Sequence, residues 1–516
     1  NFLEAEKLML FFNITDLINK NYTINKLKLK NGFAHFNISQ SNAINYHFWK
    51  SSKSDSSNVE LLINQAQLND FSIIYDNRYK EQYYSATIDQ GLISGRFDKQ
   101  QFDIKSNGDV FAEIIHSGQQ TYIEEQQVEL DLILSVDIEK KKYTFGKRQV
   151  KIHDDEFILT GNVQEDEKAT LLSLKIEGND LNIASIIGLL PENFRQKMKG
   201  YRSEGNAFIS IQIDGRSSKN ETPEVTATYG LNEAKIYHPN FNRSLDQVLL
   251  KGTYSNGDKK SLSSSIININ QLSGNVAGNE FNGLLNIKNL VDPEIDLDID
   301  ATISTNEFST YLAQFGITTS SGTLNINEFH FSGKPKNIGD IKDFNNISSS
   351  GIINLSNVQF TVNDQLVESF NGTISFNNAK IETEEFIIKT PQNEFVLNGE
   401  FSNFFTSLAN INNKTKNIPL NIDQAKITSN NLNINSLQDF VPQTRELVDS
   451  INSKNGYFNI SKFLKGPIQL DITEFQWNDI DAQNILGAIE IDKNKISLIN
   501  LSGDIFNGKT TLDGEI

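Results

Sequence analysis

The sequence predicts a mostly β protein in which successive strands build a repetitive structure extended along one axis, with a few short amphipathic helices. Apolar and polar residues alternate with a period of two in many segments, as in strands with one dry and one wet face. Turn signals such as "NG", "SG" and "GK" separate these segments. An internal repeat also favours one multiplied building block over a compact globule.

The clearest strand reads "VELDLILSVDIE" and begins at residue 128. Its alternate residues are aliphatic, and all but one of the residues between them are acidic or serine. "AFISIQID", "DPEIDLDIDATIS" and "PIQLDIT" show the same alternation and predict one-sided strands. The side chains that we predict on the apolar faces are Val128, Leu130, Leu132, Leu134, Val136, Ile209, Ile211, Ile213, Ile295, Leu297, Ile299, Ile468, Leu470 and Ile472.

Helical periodicity is rare in this chain. An aliphatic stripe from Ile183 to Leu190 has the i, i+3, i+4, i+7 spacing of one helix face and predicts a helix over 183–199. A similar stripe follows Ser436, which together with the acid three residues later resembles a capping box, and it predicts a helix over 436–451.

The two predicted helices belong to an internal repeat. "LNIASIIGLLPENFRQKMKGYRSEGNAFIS", from Leu181, aligns without gaps to "LNINSLQDFVPQTRELVDSINSKNGYFNIS", from Leu432, over about 30 residues. A second phrase recurs as "DEFILTGNV", "NEFVLNGEF" and "KTTLDGEI", beginning at residues 155, 393 and 509.

Composition excludes several functional classes. The net charge is −18 and no basic cluster stands out, so we expect no nucleic-acid partner. The absence of cysteine removes disulfides, thiolate metal sites and cysteine nucleophiles. No run of about 18–20 apolar residues could span a bilayer, and no signal peptide is visible.

The acidic row Glu294, Asp296, Asp298 and Asp300 is the most conspicuous candidate metal site. Residues on one face of a strand lie about 6.5–7 Å apart, so a straight row cannot converge on one ion. We therefore predict a solvated outer face, with a weak cation site as the alternative.

Other catalytic and metal-binding patterns are weak. The histidines are scattered without metal-ligand spacing, and they are His35, His47, His116, His153, His238 and His330. The acid pair Glu384 and Glu385 could serve glycoside chemistry only if the fold brought partners within about 5–10 Å. No nucleophile elbow or phosphate loop is present. We expect neither catalysis nor a metal or cofactor.

The aliphatic rows need a cover, because large continuous apolar patches are rarely left open in water. They could pack against each other in a β-solenoid scaffold or adhesin with a sealed core, or in stacked sheets. An outer-membrane β-barrel also uses alternating strands, although helices and the near-absence of tryptophan count against it. The third alternative is that acyl chains of lipids cover the aliphatic rows and bind them without directional contacts.

The order of the motifs resembles the AsmA family. The last 85 or so residues, from "LNINSLQDF" through "GYFNISKFLKGPIQLDIT" to "NLSGDIFNGKTTLDGEI", are similar to the family's C-terminal pattern of helix, strand and glycine-containing hairpins, with Gly456, Gly487, Gly508 and Gly514 at the corresponding positions. The family's "GG" pair reads "NG" here. Near the start, "YTINKLKLKNGFAHFNIS" and "SNAINYHFW" resemble the family's N-terminal hairpin and the phrase after it, in which the usual glycine is replaced around Asn42.

The resemblance implies an elongated, curved antiparallel β-sheet that forms a repeating, taco-like β-groove with an apolar concave face. It divides the chain into an N-terminal segment (1–178), a middle repeat (179–350) and a C-terminal segment (351–516). It also implies a periplasmic protein of Gram-negative bacteria, anchored to the inner membrane by an N-terminal helix outside this chain. The implied role is lipid transport between inner and outer membranes, with phospholipids, membranes and envelope proteins as partners.

Overall fold

The computed structural model describes most of the chain. The residues that it leaves undescribed are 1, 19–22, 47–61, 96–99, 118–119, 153, 189–195, 197, 238–243, 309–311, 314–316, 335–346, 363, 379, 405–406, 408–417, 438–439, 441–463, 493–494, 506–507 and 516. In the described part, 27 strands form a long mixed β-sheet, so the predicted mostly β class is confirmed.

The chain divides into two compact units, Asn1–Leu272 with Lys288–Val291, and Ser273–Ile287 with Asp292–Ile516. We call them unit 1 and unit 2. The division falls within a strand, Ile266–Val276. The three predicted segments have other boundaries, at 178/179 and 350/351, which lie within the strands Thr170–Asn182 and Ser348–Val362.

Unit 1 consists of strands joined mostly by short turns. Its strands are β1 Leu3–Phe12, β2 Thr23–Ile38, β3 Leu62–Ile63, β4 Gln65–Asn77, β5 Gln82–Gly95, β6 Gln101–Ser117, β7 Gln120–Asp137, β8 Lys142–Ile152, β9 Asp155–Glu165, β10 Thr170–Asn182, β11 Arg202–Ser217, β12 Glu224–Tyr237, β13 Ser244–Ser255 and the start of β14 Ile266–Val276. β1 pairs antiparallel with β2, β2 pairs parallel with β3 and β4, and each strand from β4 to β13 pairs antiparallel with the next.

Unit 2 follows the same plan. Its strands, after the end of β14, are β15 Asn279–Lys288, β16 Glu294–Ser304, β17 Ile317–Gly333, β18 Ser348–Val362, β19 Gln365–Val367, β20 Ser369–Asn377, β21 Lys380–Thr390, β22 Asn393–Ser402, β23 Leu420–Asn433, β24 Leu464–Trp477, β25 Ile480–Asp492, β26 Lys495–Ile505 and β27 Gly508–Glu515. From β16 to β27 the neighbours in the sheet pair antiparallel, with β18 pairing to both β19 and β20, except for β23 and β24, which are parallel.

The predicted antiparallel sheet is confirmed in most pairings, but β2 pairs parallel with β3 and β4, and β23 with β24, so the sheet is mixed. Parallel neighbours need a crossover connection much longer than a hairpin turn. The long connections that end at β3 and at β24 supply it. A period-two pattern does not reveal this difference, because parallel and antiparallel strands alternate in the same way.

Helices are few and short in the described residues: α1 Ile14–Ile18, α2 Ile183–Gly188 and α3 Ile434–Leu437. The helix predicted over 183–199 begins at Ile183, and the helix predicted over 436–451 begins at Ile434. Most of the remaining residues of both predicted helices lie outside the described ones. The predicted cap is wrong, because the side chain of Asn433, rather than Ser436, accepts a hydrogen bond from the helix, 3.3 Å from the backbone nitrogen of Ser436.

The two long copies of the repeat begin with the same local arrangement. The backbone N–H of Asn182 donates to the side chain of Asp155 at 2.8 Å, and that of Asn433 donates to the side chain of Asn393 at 2.5 Å. Asp155 and Asn393 are the first residues of the other recurring phrase, so the two predicted repeats are parts of one unit. The copies differ afterwards, because β10 pairs antiparallel with β11 whereas β23 pairs parallel with β24.

Strict alternation, which the sequence predicts, is interrupted by bulges. At Asp180, Glu233 and Glu385 the backbone is left-handed, with φ of 55°, 48° and 48°, and the register shifts beside each of them. A bulge inserts one residue and turns the following side chains over. Leu231 and Ala234, three residues apart, therefore pack in the same cluster.

Glycine is required where neighbouring backbones approach closely. Gly161, in the recurring phrase "LTGNV", has φ +118°, and a Cβ there would clash with the backbone oxygen of Ser173 on β10. Around Gly514, in the corresponding "LDGEI", no described atom lies within 4 Å of the position that a Cβ would take.

We expect Gly161→Ala to destabilise the protein by about 1–3 kcal/mol, because β9 and β10 must separate and the backbone is strained. Gly514→Ala is the matched control and should leave the midpoint of thermal unfolding unchanged. Differential scanning calorimetry of both variants measures the effect, and equal midpoints would contradict it.

Candidate functional site

The predicted apolar rows of unit 1 lie on one face of the sheet. Leu134 stands opposite Phe145, Phe145 opposite Gly161, Gly161 opposite Leu174, and Leu174 opposite Ile213. Directly opposed residues in antiparallel strands share a face. The row from β7 and the row from β11 therefore belong to one surface, which continues across β8, β9 and β10.

A parallel line of contacts supports the same assignment. Leu130 stands opposite Val150, Val150 opposite Phe157, Phe157 opposite Gly178, and Gly178 opposite Ile209. We call this side of the sheet the apolar face of unit 1. The sequence identified only the β7 and β11 rows, because β8 and β9 mix apolar and polar residues around a bulge.

Unit 2 has an apolar face of the same kind. Ala301 lies two residues after Ile299 on β16, and cross-strand pairs connect it to Ala425 on β23. The residues of this ladder between the two are Ile326, Ile353, Ile374, Thr383 and Gly399. Ala425 packs in one cluster with Ile468, and Leu470 stands opposite Ile427. The two predicted rows of this unit, on β16 and β24, therefore lie on one surface.

Burial along these rows is incomplete. Of the fourteen predicted residues, Val128, Val136, Ile468 and Ile472 are buried and the other ten are half-buried. On β7 the residues that alternate with the row include Glu129 and Asp131, which are exposed. The apolar side is thus covered more than the acidic side but is not sealed.

Helices cover one part of the apolar face in each unit. Ile183 at the start of α2 packs with Ala207, Ala234 and Val248. Ile434 and Leu437 of α3 pack against a second cluster formed by Leu432, Ile472, Ala482 and Ile485. Both helices therefore lie against the apolar side, near strand ends.

Distant strand ends meet within unit 1. Lys80, in the turn between β4 and β5, lies 4.0 Å from the carboxylate of Glu165 at the end of β9. Lys219, in the turn between β11 and β12, lies 2.8 Å from Glu81. Neighbouring strands lie about 4.8 Å apart, so a flat sheet would keep β5 and β9 roughly 19 Å apart. The sheet of unit 1 therefore bends until its opposite strand ends touch.

Tyrosines line the apolar face beside this contact. Burial raises the pKa of Tyr75 to about 12, although a 2.9 Å hydrogen bond from Asn77 opposes the rise, and the charge of Glu165 adds to it. Burial and the same carboxylate raise the pKa of Tyr143, on β8. Tyr75 stacks on Tyr84 at 5.4 Å between ring centroids. Sequence alternation gives no sign of this cluster, because its members come from distant strands.

The acidic row of β16 has structural partners. Asp298 and Asp296 lie 2.8 Å and 3.7 Å from Nδ1 of His330. Asp300 accepts a 2.7 Å hydrogen bond from the backbone N–H of Glu328, a left-handed bulge residue of β17. These carboxylates therefore bind the neighbouring strand, in agreement with the predicted outer face.

Other acidic and amide side chains also accept a hydrogen bond from the backbone N–H of a bulge residue on a neighbouring strand. Asn398 accepts a 2.7 Å hydrogen bond from the N–H of Glu385, and Asp513 accepts one of 2.7 Å from the N–H of Asn500. Glu385, Asn500 and Glu328 are all left-handed. Asn398 and Asp513 precede the glycine of the recurring phrase, so that phrase supplies a cap for a bulge on the preceding strand. Glu384 and Glu385 belong to such a bulge.

No group of three or more metal-ligating side chains converges among the described residues. His35, His116 and His330 lie on different strands, β2, β6 and β17. The other three histidines lie outside the described residues. Within the same described ranges, no helix has both the length and the apolar character needed to cross a bilayer.

Comparisons with known protein families, with characterised proteins and with solved structures find no match to this chain. The resemblance to the AsmA family stays a prediction from the motifs.

We expect Asp300→Ala to lower the free energy of unfolding by about 1 kcal/mol, because the N–H of Glu328 loses its acceptor. Asp296→Ala is the control, since Asp296 is more than half exposed and lies 3.7 Å from His330. Thermal unfolding with calcium or with EDTA should give one midpoint. A calcium-dependent rise that Asp300→Ala abolishes would support a metal site instead.

Proposed function

We propose that this chain is a non-enzymatic lipid-binding protein whose apolar faces form a groove for phospholipid acyl chains. The observation that carries this proposal is the half-buried state of ten of the fourteen predicted residues. A sealed core would bury such aliphatic side chains almost completely, as Ile472 is buried at 1% exposure. An open sheet face on a soluble protein would leave them in water.

Acyl chains suit such a surface physically. Each buried methylene contributes about 0.8 kcal/mol, and the contact has no direction, so a chain can slide along the strands without a specific site. The opposite side, with exposed residues such as Glu129 and Asp131, stays hydrated. Movement of lipid along such a surface requires no bond-making step, which agrees with the absence of catalytic motifs in the sequence.

The cellular setting rests on the resemblance to the AsmA family. That resemblance is the basis for proposing a periplasmic protein, held at the inner membrane by a helix outside this chain, that supports lipid transport to the outer membrane.

A closed β-solenoid scaffold is the second candidate. The contacts of Lys80 with Glu165 and of Lys219 with Glu81 favour it, because they bring opposite strand ends together over the apolar face of unit 1. The side chains of Lys219 and Glu81 are 66% and 41% exposed, and an exposed ion pair contributes at most about 1 kcal/mol, so this contact can open. The two candidates differ in what happens to the apolar face when its residues are changed.

We expect Leu132→Asp and Leu297→Asp to reduce phospholipid transfer between liposomes at least about tenfold, because a charge in the path of a hydrocarbon chain is costly. Both residues are half-buried, so thermal midpoints should fall by only a few degrees. Ile472→Asp, at a fully buried position, should unfold unit 2.

Gln127→Asp is the matched control on the opposite side of β7, where the side chain is exposed. It should leave transfer unchanged. Because Gln127 donates a 3.4 Å hydrogen bond to Asp89, the new carboxylate should lower the thermal midpoint by no more than a few degrees. If the two leucine variants unfold like Ile472→Asp, the interior is sealed and the scaffold is correct. Native mass spectrometry gives a second measurement, since bound phospholipid should accompany the unaltered chain.

We also expect opening of the strand ends in unit 1 to be required for transfer. A headgroup that stays in water cannot pass beneath a closed contact between Glu81 and Lys219. The chain has no cysteine, so Glu81→Cys with Lys219→Cys provides a unique pair for a bismaleimide. The cross-linked protein should lose transfer, whereas the same double variant without cross-linker should retain it.

The control is the double variant treated with a monofunctional maleimide, which adds bulk without joining the two turns. Full transfer by the cross-linked protein would show that lipid does not pass this point of unit 1.

A further inference from the structure

We propose that the β1 edge of the sheet docks on an anionic lipid bilayer. This inference goes beyond the acyl-chain groove, because it concerns the surface of a membrane and holds whether or not the groove carries lipid. It begins with four lysines that the sequence spreads over 24 residues and the β1–β2 ladder brings together.

The lysines share one face of the hairpin. Lys7 stands opposite Lys30, Met9 opposite Lys28, and Phe11 opposite Lys26, with no acidic residue in any of the three pairs. Residues two apart in a strand face the same way, so all six side chains form one patch. We call it the basic patch.

The basic patch faces away from the core. Leu29, which alternates with Lys28 and Lys30, is buried in a cluster with Leu68 and Phe71. On the next strand the uncharged Gln67 and Asn69 stand beside Lys28 and Lys30. The acidic neighbour of Lys7 in β1, Glu6, accepts a hydrogen bond from Asn31. A positive surface of this kind is distinctive in a chain with a net charge of −18.

Exposed apolar side chains adjoin the lysines. Of the 23 large apolar residues that are exposed in the described part of the chain, seven lie between Leu3 and Ile18. Ile14 and Ile18, one turn apart in α1, are 74% and 76% exposed. Phe11 is 43% exposed and has Lys28 Nζ 5.6 Å from its ring centroid.

A free sheet edge lies between these groups. In the described residues β1 pairs with β2 alone, so one side of β1 offers its backbone groups and its apolar side chains to an outside partner. Leu8 and Leu10, on the side opposite the lysines, are 51% and 44% exposed.

An anionic bilayer fits both features at once. Phosphate groups at the surface attract lysines within about a Debye length, whereas the headgroup boundary accepts isoleucine, leucine and phenylalanine side chains. Nucleic acid would satisfy the lysines and leave the aliphatic side chains in water. A second copy of the chain could cover the aliphatic residues. Only some orientations of that copy would also bring its acidic groups close to the four lysines.

The test is flotation of the full chain with phosphatidylcholine vesicles that contain or lack phosphatidylglycerol. We expect binding only to the anionic vesicles, and weaker binding as salt is raised. The variant K7Q/K26Q/K28Q/K30Q should lose affinity by about fivefold per lysine, on the order of several hundredfold in all.

The matched control is K168Q/K251Q/K259Q/K509Q, which removes the same charge from scattered exposed lysines and should bind like the unaltered chain. A second variant, I14S/I18S, keeps every lysine and should weaken binding at all salt concentrations. Because both isoleucines are exposed, it should fold normally.

Equal binding by the two quadruple variants would overturn the proposal, because net charge rather than the basic patch would then control association. Equal flotation with and without phosphatidylglycerol would also overturn it. Failure to float, together with a dimer by light scattering that I14S/I18S abolishes, would show that a second copy covers β1. None of these outcomes depends on lipid transfer, so the groove and the docking edge are tested separately.

Discussion

The structure depends on keeping one face of a hydrogen-bonded β-ladder apolar while the sheet bends. A regular strand twists gradually and cannot bring strand ends several strands apart into contact. Left-handed residues such as Asp180, Glu233 and Glu385 supply the local bend, and they shift the alternation so that aliphatic side chains on both sides of the bulge face the same way. The apolar face survives the curvature because of these residues.

At three bulges the neighbouring strand supplies a side-chain acceptor for the backbone N–H of the left-handed residue. Asp300, Asn398 and Asp513 perform this role for three bulges. Residues that look like metal ligands or catalytic acids in the sequence therefore have a backbone function in these positions. The chemistry that remains for ligand binding is the apolar surface, which has no directional groups and suits hydrocarbon.

Lysines are concentrated at two places in unit 1, the strand ends and the β1 edge. At the strand ends of unit 1, lysines pair with glutamates from distant turns. At β1, four lysines face outward without an acidic residue opposite them. A chain that is strongly acidic overall thus concentrates positive charge at one sheet edge, beside exposed aliphatic side chains, where a bilayer provides both kinds of contact.

The sequence by itself determined the strands, the dry and wet sides of the clearest ones, and the start of α2 at Ile183, because these depend on local periodicity. The start predicted at Ser436 is two residues late. It also placed all fourteen predicted residues on sides that are buried or half-buried. Only the tertiary structure decided the parallel pairings, the tyrosine cluster beside Glu165 and the gathering of Lys7 with Lys26, Lys28 and Lys30. Those features depend on which strands become neighbours and where the sheet bends, and a bulge of one residue, or a crossover instead of a turn, changes both while leaving the local pattern of apolar and polar residues almost the same.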